Sequence, residues 1–187
     1  MDHIKAKEDF QHSEIVLRTL PKSPESGKCL IIEVPNGRGG THLGTLMWEA
    51  EEEAIKKQVK DLCEKYNPHR VLEIGFGLGY TATQFQECGV TKHVIVEAHP
   101  QMVADANLWR TNYPHKDIEI VHSFIQDFIY EEEDYDLIYD DRYEMVYGET
   151  TSREYFKERG FVWNPPTIMH PSHIPCWKII GDNRKKQ

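Results

Sequence analysis

Between residues 71 and 140 the chain repeats one alternation, in which short apolar runs are separated by stretches of helical spacing. The runs are Val71-Leu72-Glu73-Ile74, His93-Val94-Ile95-Val96-Glu97, Ile118-Glu119-Ile120-Val121 and Asp136-Leu137-Ile138-Tyr139-Asp140, with helical stretches at 81–88 and 99–112. Runs this short and this apolar suit strands buried on both faces, and strands that alternate with helices run parallel because each crossover returns the chain to the same end. The pattern predicts an α/β fold: a doubly wound sheet with helices on both faces, its ligands sitting beyond the carboxyl ends of the strands.

Upstream, Ala54, Ile55, Val59 and Leu62 recur at helical spacing within 49–65, with Glu51 to Glu53 early and Lys60 and Lys65 late, as the helix dipole prefers. That stretch is predicted to be an amphipathic helix. The strand-like run from Cys29 to Val34, the turn signal Pro35-Asn36-Gly37 and an extended stretch toward Leu46-Met47 predict an N-terminal hairpin. Residues 1–28 are polar and carry Pro21-Lys22-Ser23-Pro24, so they are expected to form an arm, or a cover that orders over a site. Residues 29–187 then make one domain. Beyond Asp141 the pattern shows one helix at about 151–159, the run Phe161-Val162-Trp163, a Pro-rich bend and the apolar stretch from Cys176 to Ile180.

Charge narrows the partners. With 22 Lys and Arg against 31 Asp and Glu, the formal charge of -9 has the wrong sign for a generic nucleic-acid binder. Cysteines 29, 63, 88 and 176 form no C-x-x-C pair, so reduced thiols are expected. His170, His173 and Cys176 lack a fourth ligand at a strong spacing, and no metal is expected. The first residues lack the basic and apolar build of a signal peptide, and no apolar run approaches the roughly 18 residues of a membrane span. The expectation is a cytoplasmic protein with neither nucleic acid nor membrane as partner.

The stretch Glu73-Ile74-Gly75-Phe76-Gly77-Leu78-Gly79-Tyr80 joins a buried-type strand to a helix through three glycines. Glycines let a ligand approach the backbone, and a helix start offers free N–H groups. Glu97 ends the next strand 20 positions after Gly77, where an acid can accept hydrogen bonds from both hydroxyls of a ribose. Glu73 stands just before the turn, where a carboxylate would repel a pyrophosphate and welcome an ammonium group. These features together favour S-adenosylmethionine over a dinucleotide.

Through these residues and Ser123 to Asp127 after the third strand, the chain resembles the class I S-adenosylmethionine-dependent methyltransferases over roughly 45–143. The resemblance implies a Rossmann-like sheet and a cofactor site drawn from Glu73, Gly75, Phe76, Gly77 and Gly79, with Glu97 on the ribose and Phe124, Ile125 and Asp127 around the adenine. Met47-Trp48-Glu49 and Tyr139-Asp140 narrow it to the guanidinoacetate methyltransferases and the related fungal-type protein arginine N-methyltransferases. That resemblance implies catalytic roles for Asp140 and Glu49 and substrate contacts for Trp48 and Tyr139.

The chemistry gives two carboxylates a purpose. A guanidinium is a planar fork of N–H donors that carboxylates match in bidentate fashion, and its protonated form has no lone pair with which to attack a methyl carbon. Asp140, and secondarily Glu49, are expected to orient the fork and accept the departing proton. Arg142 either meets a substrate carboxylate or is a surface charge. The chain departs from its relatives after the fourth strand, where it lacks their Lys-Pro-Gly-Gly type turn. A sheet shortened at the C-terminus is expected, its edge covered by the N-terminal hairpin or by a second subunit in a homodimer. Three functions fit: N-methylation of a small guanidino molecule such as guanidinoacetate or arginine, methylation of arginine in a protein, or a non-catalytic cofactor-binding module.

Overall fold

The computed structural model describes residues 3–19, 27–35, 41–142, 162–163 and 176–179. Its centre is a six-stranded sheet in the order β6-β5-β4-β7-β9-β8, formed by β4 (Arg70–Ile74), β5 (Lys92–Glu97), β6 (Asp117–His122), β7 (Leu137–Asp140), β8 (Val162–Trp163) and β9 (Cys176–Ile179). The first four strands pair in parallel. Helices α3 (Tyr80–Glu87) and α4 (Pro100–Arg110) make the crossovers from β4 to β5 and from β5 to β6. The predicted α/β class and the four parallel strands are therefore present. The helix expected at 151–159 lies outside the described residues.

The parallel part stops at β7, and its open side pairs antiparallel with β9, which pairs with β8. The chain's own downstream segment covers this edge, so neither the N-terminal hairpin nor a second subunit is needed there.

That hairpin is one part of a separate antiparallel sheet in the order β1-β2-β3, built from β1 (Glu14–Thr19), β2 (Lys28–Pro35) and β3 (Thr41–Trp48). Residues expected as an arm thus supply α1 (His3–Gln11) and β1, and β1 pairs with β2 along its length, Ile15 opposite Ile32. Phe10, Ile15, Leu30, Ile32 and Met47 share one apolar cluster with Ile55 and Val59, and with Phe85 and Leu137 of the layers beyond. Burial of this shared cluster holds the two sheets together.

Helix α2 (Glu52–Tyr66) begins with Glu52 and Glu53 and ends with Lys65, so charge complements both ends. It stops at Asn67, whose φ of 45° is left-handed and whose N–H donates to the carbonyl of Cys63 at 2.7 Å. Its inner face is Ile55, Gln58, Val59, Leu62 and Cys63. Among the described residues no helix is long and apolar enough to cross a membrane.

Candidate functional site

The ends of β4, β5 and β7, the connection after β6 and the N-terminal residues Phe10 and Ile15 enclose a cleft of about 610 Å³, its open mouth included. It lies at the carboxyl ends of parallel strands, where a doubly wound sheet leaves room between diverging loops. Ile74, Gly75 and Gly77 form one wall, Glu97 and His99 another, Ser123 and Ile125 a third, and Asp141 with Arg142 the fourth.

The turn after β4 has φ values of 89° at Gly75, 55° at Gly77 and 75° at Gly79, all in the region that favours glycine. A Cβ on Gly75 would lie 2.9 Å from the Asp141 carbonyl oxygen, and one on Gly77 would lie 2.8 Å from Met47 Cε. At Gly75 and Gly77 the turn is therefore packed tightly against the end of β7 and against β3, with no room for a side chain. Met47 Sδ also accepts the Leu78 N–H at 3.3 Å. Gly79 caps α3 against the Phe76 ring and is not part of the cleft wall.

Glu97 is the best-fixed polar group in the cleft. Its Oε2 accepts the Phe76 N–H at 2.9 Å and its Oε1 accepts the His99 N–H at 2.8 Å. A carboxylate has about four acceptor sites, so this one is held in place and still has room for a hydroxyl donor. Burial pushes its pKa up, and these backbone hydrogen bonds oppose that.

The side chains of several predicted cofactor residues point elsewhere. Glu73 is fully buried on the opposite face of β4 from Ile74, with Oε2 2.8 Å from His93 Nε2. It cannot greet an ammonium group in the cleft, because strand alternation that turns Ile74 inward turns its neighbour away. The Phe76 ring packs on Trp109, 5.6 Å between centroids, and only its backbone N–H serves the site. Phe124 lies in the core against Phe10, whereas Ser123 and Ile125 beside it do reach the cleft. Asp127 is turned to Lys7 of α1, Oδ2 to Nζ 2.7 Å, and does not line the cleft.

The substrate-side residues divide in the same way. Glu49 Oε2 accepts the Lys28 N–H at 2.8 Å, so this carboxylate pins the start of β2 and is not in the cleft wall. Trp48 packs with Cys29 and Ile31 on the other face of the small sheet from Met47. Tyr139 is fully buried and donates its hydroxyl to Gln58 Oε1 at 3.1 Å. Asp140 and Arg142 are together: Oδ1 accepts the Arg142 N–H at 3.3 Å and Oδ2 lies 3.3 Å from Nη2, with the two side chains 1% and 10% exposed. Arg142 lines the cleft and is no surface charge.

Sequence reasoning missed His99. It is 2% exposed and opens α4, its Nδ1 accepting the Gln101 N–H at 3.3 Å, which leaves Nε2 to donate to the Ser13 carbonyl at 3.1 Å. Burial lowers its pKa and favours this neutral form. The His-Pro pair at 99–100 was the available signal, since Pro suits the first helical position and the residue before it the cap.

A glycine turn after the first parallel strand and a fixed acid at the end of the second, joined in one cleft, fit a Rossmann-like class I methyltransferase, and with Glu73 turned from the cleft it is the family match that singles out that class. The sequence profile described as "Guanidinoacetate N-methyltransferase" matches residues 47–159, more than half of the chain, and the chain belongs to that family. It is an S-adenosylmethionine-dependent methyltransferase. Solved structures with a similar arrangement include a SAH-bound methyltransferase from Podospora anserina, 11% identical, TM-score 0.45, covering 67% of this chain and 78% of that one. Another is an O-methyltransferase from Bacillus cereus in complex with SAH, 14% identical, TM-score 0.42, covering 65% of this chain and 78% of that one.

The cleft residues fit S-adenosylmethionine. Glu97 lines one wall of the cleft, Gly75 and Gly77 approach it without side chains at another, and Ile74 and Ile125 supply apolar surface.

Proposed function

We propose that this enzyme methylates a guanidino nitrogen of a small guanidino acid, with guanidinoacetate and arginine as the first acceptors to try. The observation that carries the reading is Arg142 in the cleft wall with Asp140 ion-paired to it just behind that wall, within the segment that matches the family.

A pair this poorly exposed is costly to break, about 3–5 kcal/mol when one partner is left alone. A cationic guanidine that took Asp140 would leave Arg142 facing a low-dielectric wall. A guanidino acid avoids that cost, because its guanidinium takes Asp140 while its carboxylate takes Arg142 in the bidentate geometry both groups prefer. Substrate binding is then an exchange of partners. Asp140 localises the charge of the fork and accepts the proton that the attacking nitrogen must lose.

Glu97, with Gly75, Gly77, Ser123 and Ile125, would hold the cofactor, and Glu97 would take its ribose hydroxyls. When bound, S-adenosylmethionine supplies an electrophilic methyl carbon on a sulfonium. The rest of the catalytic effect is positioning, since two reactants held in line gain the advantage of an intramolecular reaction.

The test is a mass-spectrometric screen of the purified enzyme with S-adenosylmethionine against guanidinoacetate, arginine, agmatine and arginine-containing peptides. A singly methylated guanidino acid, with agmatine much poorer, is the expected result. Transfer to peptides alone would replace this reading with a protein acceptor.

A further inference from the structure

Among the described residues that line the cleft, two are acids, Glu97 and Asp141, and they stand on opposite sides of the glycine turn. Glu97 ends β5, on one side of β4, and accepts the Phe76 N–H of the turn at 2.9 Å. Asp141 follows β7, on the other side. Its N–H donates to the Ile74 carbonyl at 2.8 Å, and its own carbonyl oxygen is the atom that a Cβ on Gly75 would meet. Asp141 is half-buried. The charges of Asp141 and Glu97 both push up the pKa of Glu73 near the end of β4, in keeping with a carboxylate on either flank of that strand.

The cofactor's charges give the second acid a purpose. S-adenosylmethionine carries a ribose diol and, at its amino-acid end, an α-ammonium, and an ammonium taken out of water needs a hydrogen-bonding partner of opposite charge. The sequence pattern points to Glu73 for that role, but Glu73 faces His93 on the other side of β4 and does not line the cleft. Asp140 is paired with Arg142 behind the cleft wall. With Glu97 on the ribose, Asp141 is the acid left in the wall.

We propose that Asp141 is a cofactor-binding residue, its carboxylate receiving the α-ammonium of S-adenosylmethionine. Glu97 and Asp141 then anchor the two polar ends of one ligand, with Gly75 and Gly77 between them. A carboxylate has about four acceptor sites, so a partner that Asp141 already has within the protein does not exclude an ammonium. The inference rests on Glu97 holding the ribose in this cleft, and it is independent of the acceptor that is methylated.

Titration calorimetry with three ligands reads each contact separately: S-adenosylhomocysteine, the same thioether lacking its α-amino group, and methylthioadenosine, which keeps the ribose and has no amino-acid end. Wild type should bind the desamino ligand roughly tenfold or more weakly than S-adenosylhomocysteine. Asp141→Asn should remove most of that preference by weakening S-adenosylhomocysteine alone, and Glu73→Gln should keep it. Equal weakening of all three ligands in Asp141→Asn, an unchanged preference in that variant, or a preference lost in Glu73→Gln instead would overturn the proposal. So would a wild type that binds the desamino ligand as tightly as S-adenosylhomocysteine, a result that needs no variant to fold. Methylthioadenosine binding untouched by Glu97→Ala would overturn it through its premise, because the ribose would then lie elsewhere.

Discussion

Glu73 and His93 face each other at 2.8 Å inside the sheet, both closed off from solvent. The ring N–H does not aim at the carboxylate, and the environment decides the charge. Burial, then the nearby charges of Asp141 and Glu97, raise the Glu73 pKa well above its ordinary value, while burial lowers that of His93 to about 3. The pair is therefore uncharged, with the carboxyl keeping its proton beside a neutral imidazole.

Opposite pH dependences follow from the two members. A carboxyl raised in the fold stabilises it below the ordinary carboxylate range, and that contribution is lost as pH rises through the folded value. An imidazole lowered in the fold contributes above about 6.5, and its contribution is lost as pH falls toward the folded value. Glu73→Gln should gain on wild type with rising pH above about 4.5, by up to about 1.4 kcal/mol per pH unit. His93→Gln should flatten the fall in stability between about 6.5 and 3. Urea midpoints measured at a series of pH values check both.

Glu97→Ala should weaken S-adenosylmethionine by an order of magnitude or more, because it removes the acceptors for the ribose and frees the Phe76 and His99 N–H groups that shape the cleft. Titration calorimetry reads this directly. Affinity equal to wild type would place the cofactor elsewhere.

Asp140→Asn should lower kcat on a guanidino acid by roughly 10²–10⁴ while sparing cofactor affinity, because an amide cannot take the proton. Arg142→Met should raise KM for guanidinoacetate or arginine and leave agmatine unchanged or improved. Steady-state kinetics on the three acceptors separate partner exchange from a plain loss of packing.

Gly75 and Gly89 both have positive φ, 89° and 86°, yet a Cβ meets the Asp141 carbonyl oxygen at 2.9 Å at the first and nothing within 4 Å at the second. Gly89→Ala should cost about 1–2 kcal/mol from backbone strain alone. Gly75→Ala should cost more, since a backbone atom cannot turn aside, and denaturant unfolding of the two variants isolates that collision.

The four parallel strands were legible because each is a compact apolar run, and the turn because glycine is the one residue that suits its backbone. Glu97 was legible by its distance from that turn. Side-chain direction was not: β4 and β7 are buried on both faces, so no alternation of polarity marks which residues look into the cleft. Glu73 and Tyr139 were misplaced for that reason. Asp127 and Glu49 were misplaced for another, since Lys7 and the Lys28 N–H that hold them lie far away along the chain and leave no local pattern. The runs at 161–163 and 176–180 mark where β8 and β9 lie, but nothing local to them shows that they add antiparallel to the β7 edge.

The pairing of β7 with β9 sets a schedule for synthesis. β7 leaves the ribosome long before β9, so the growing chain carries a hydrophobic central strand with one row of N–H and C=O groups unmatched until its partner arrives. During that interval the β7 edge of the nascent protein is open to wrong pairing.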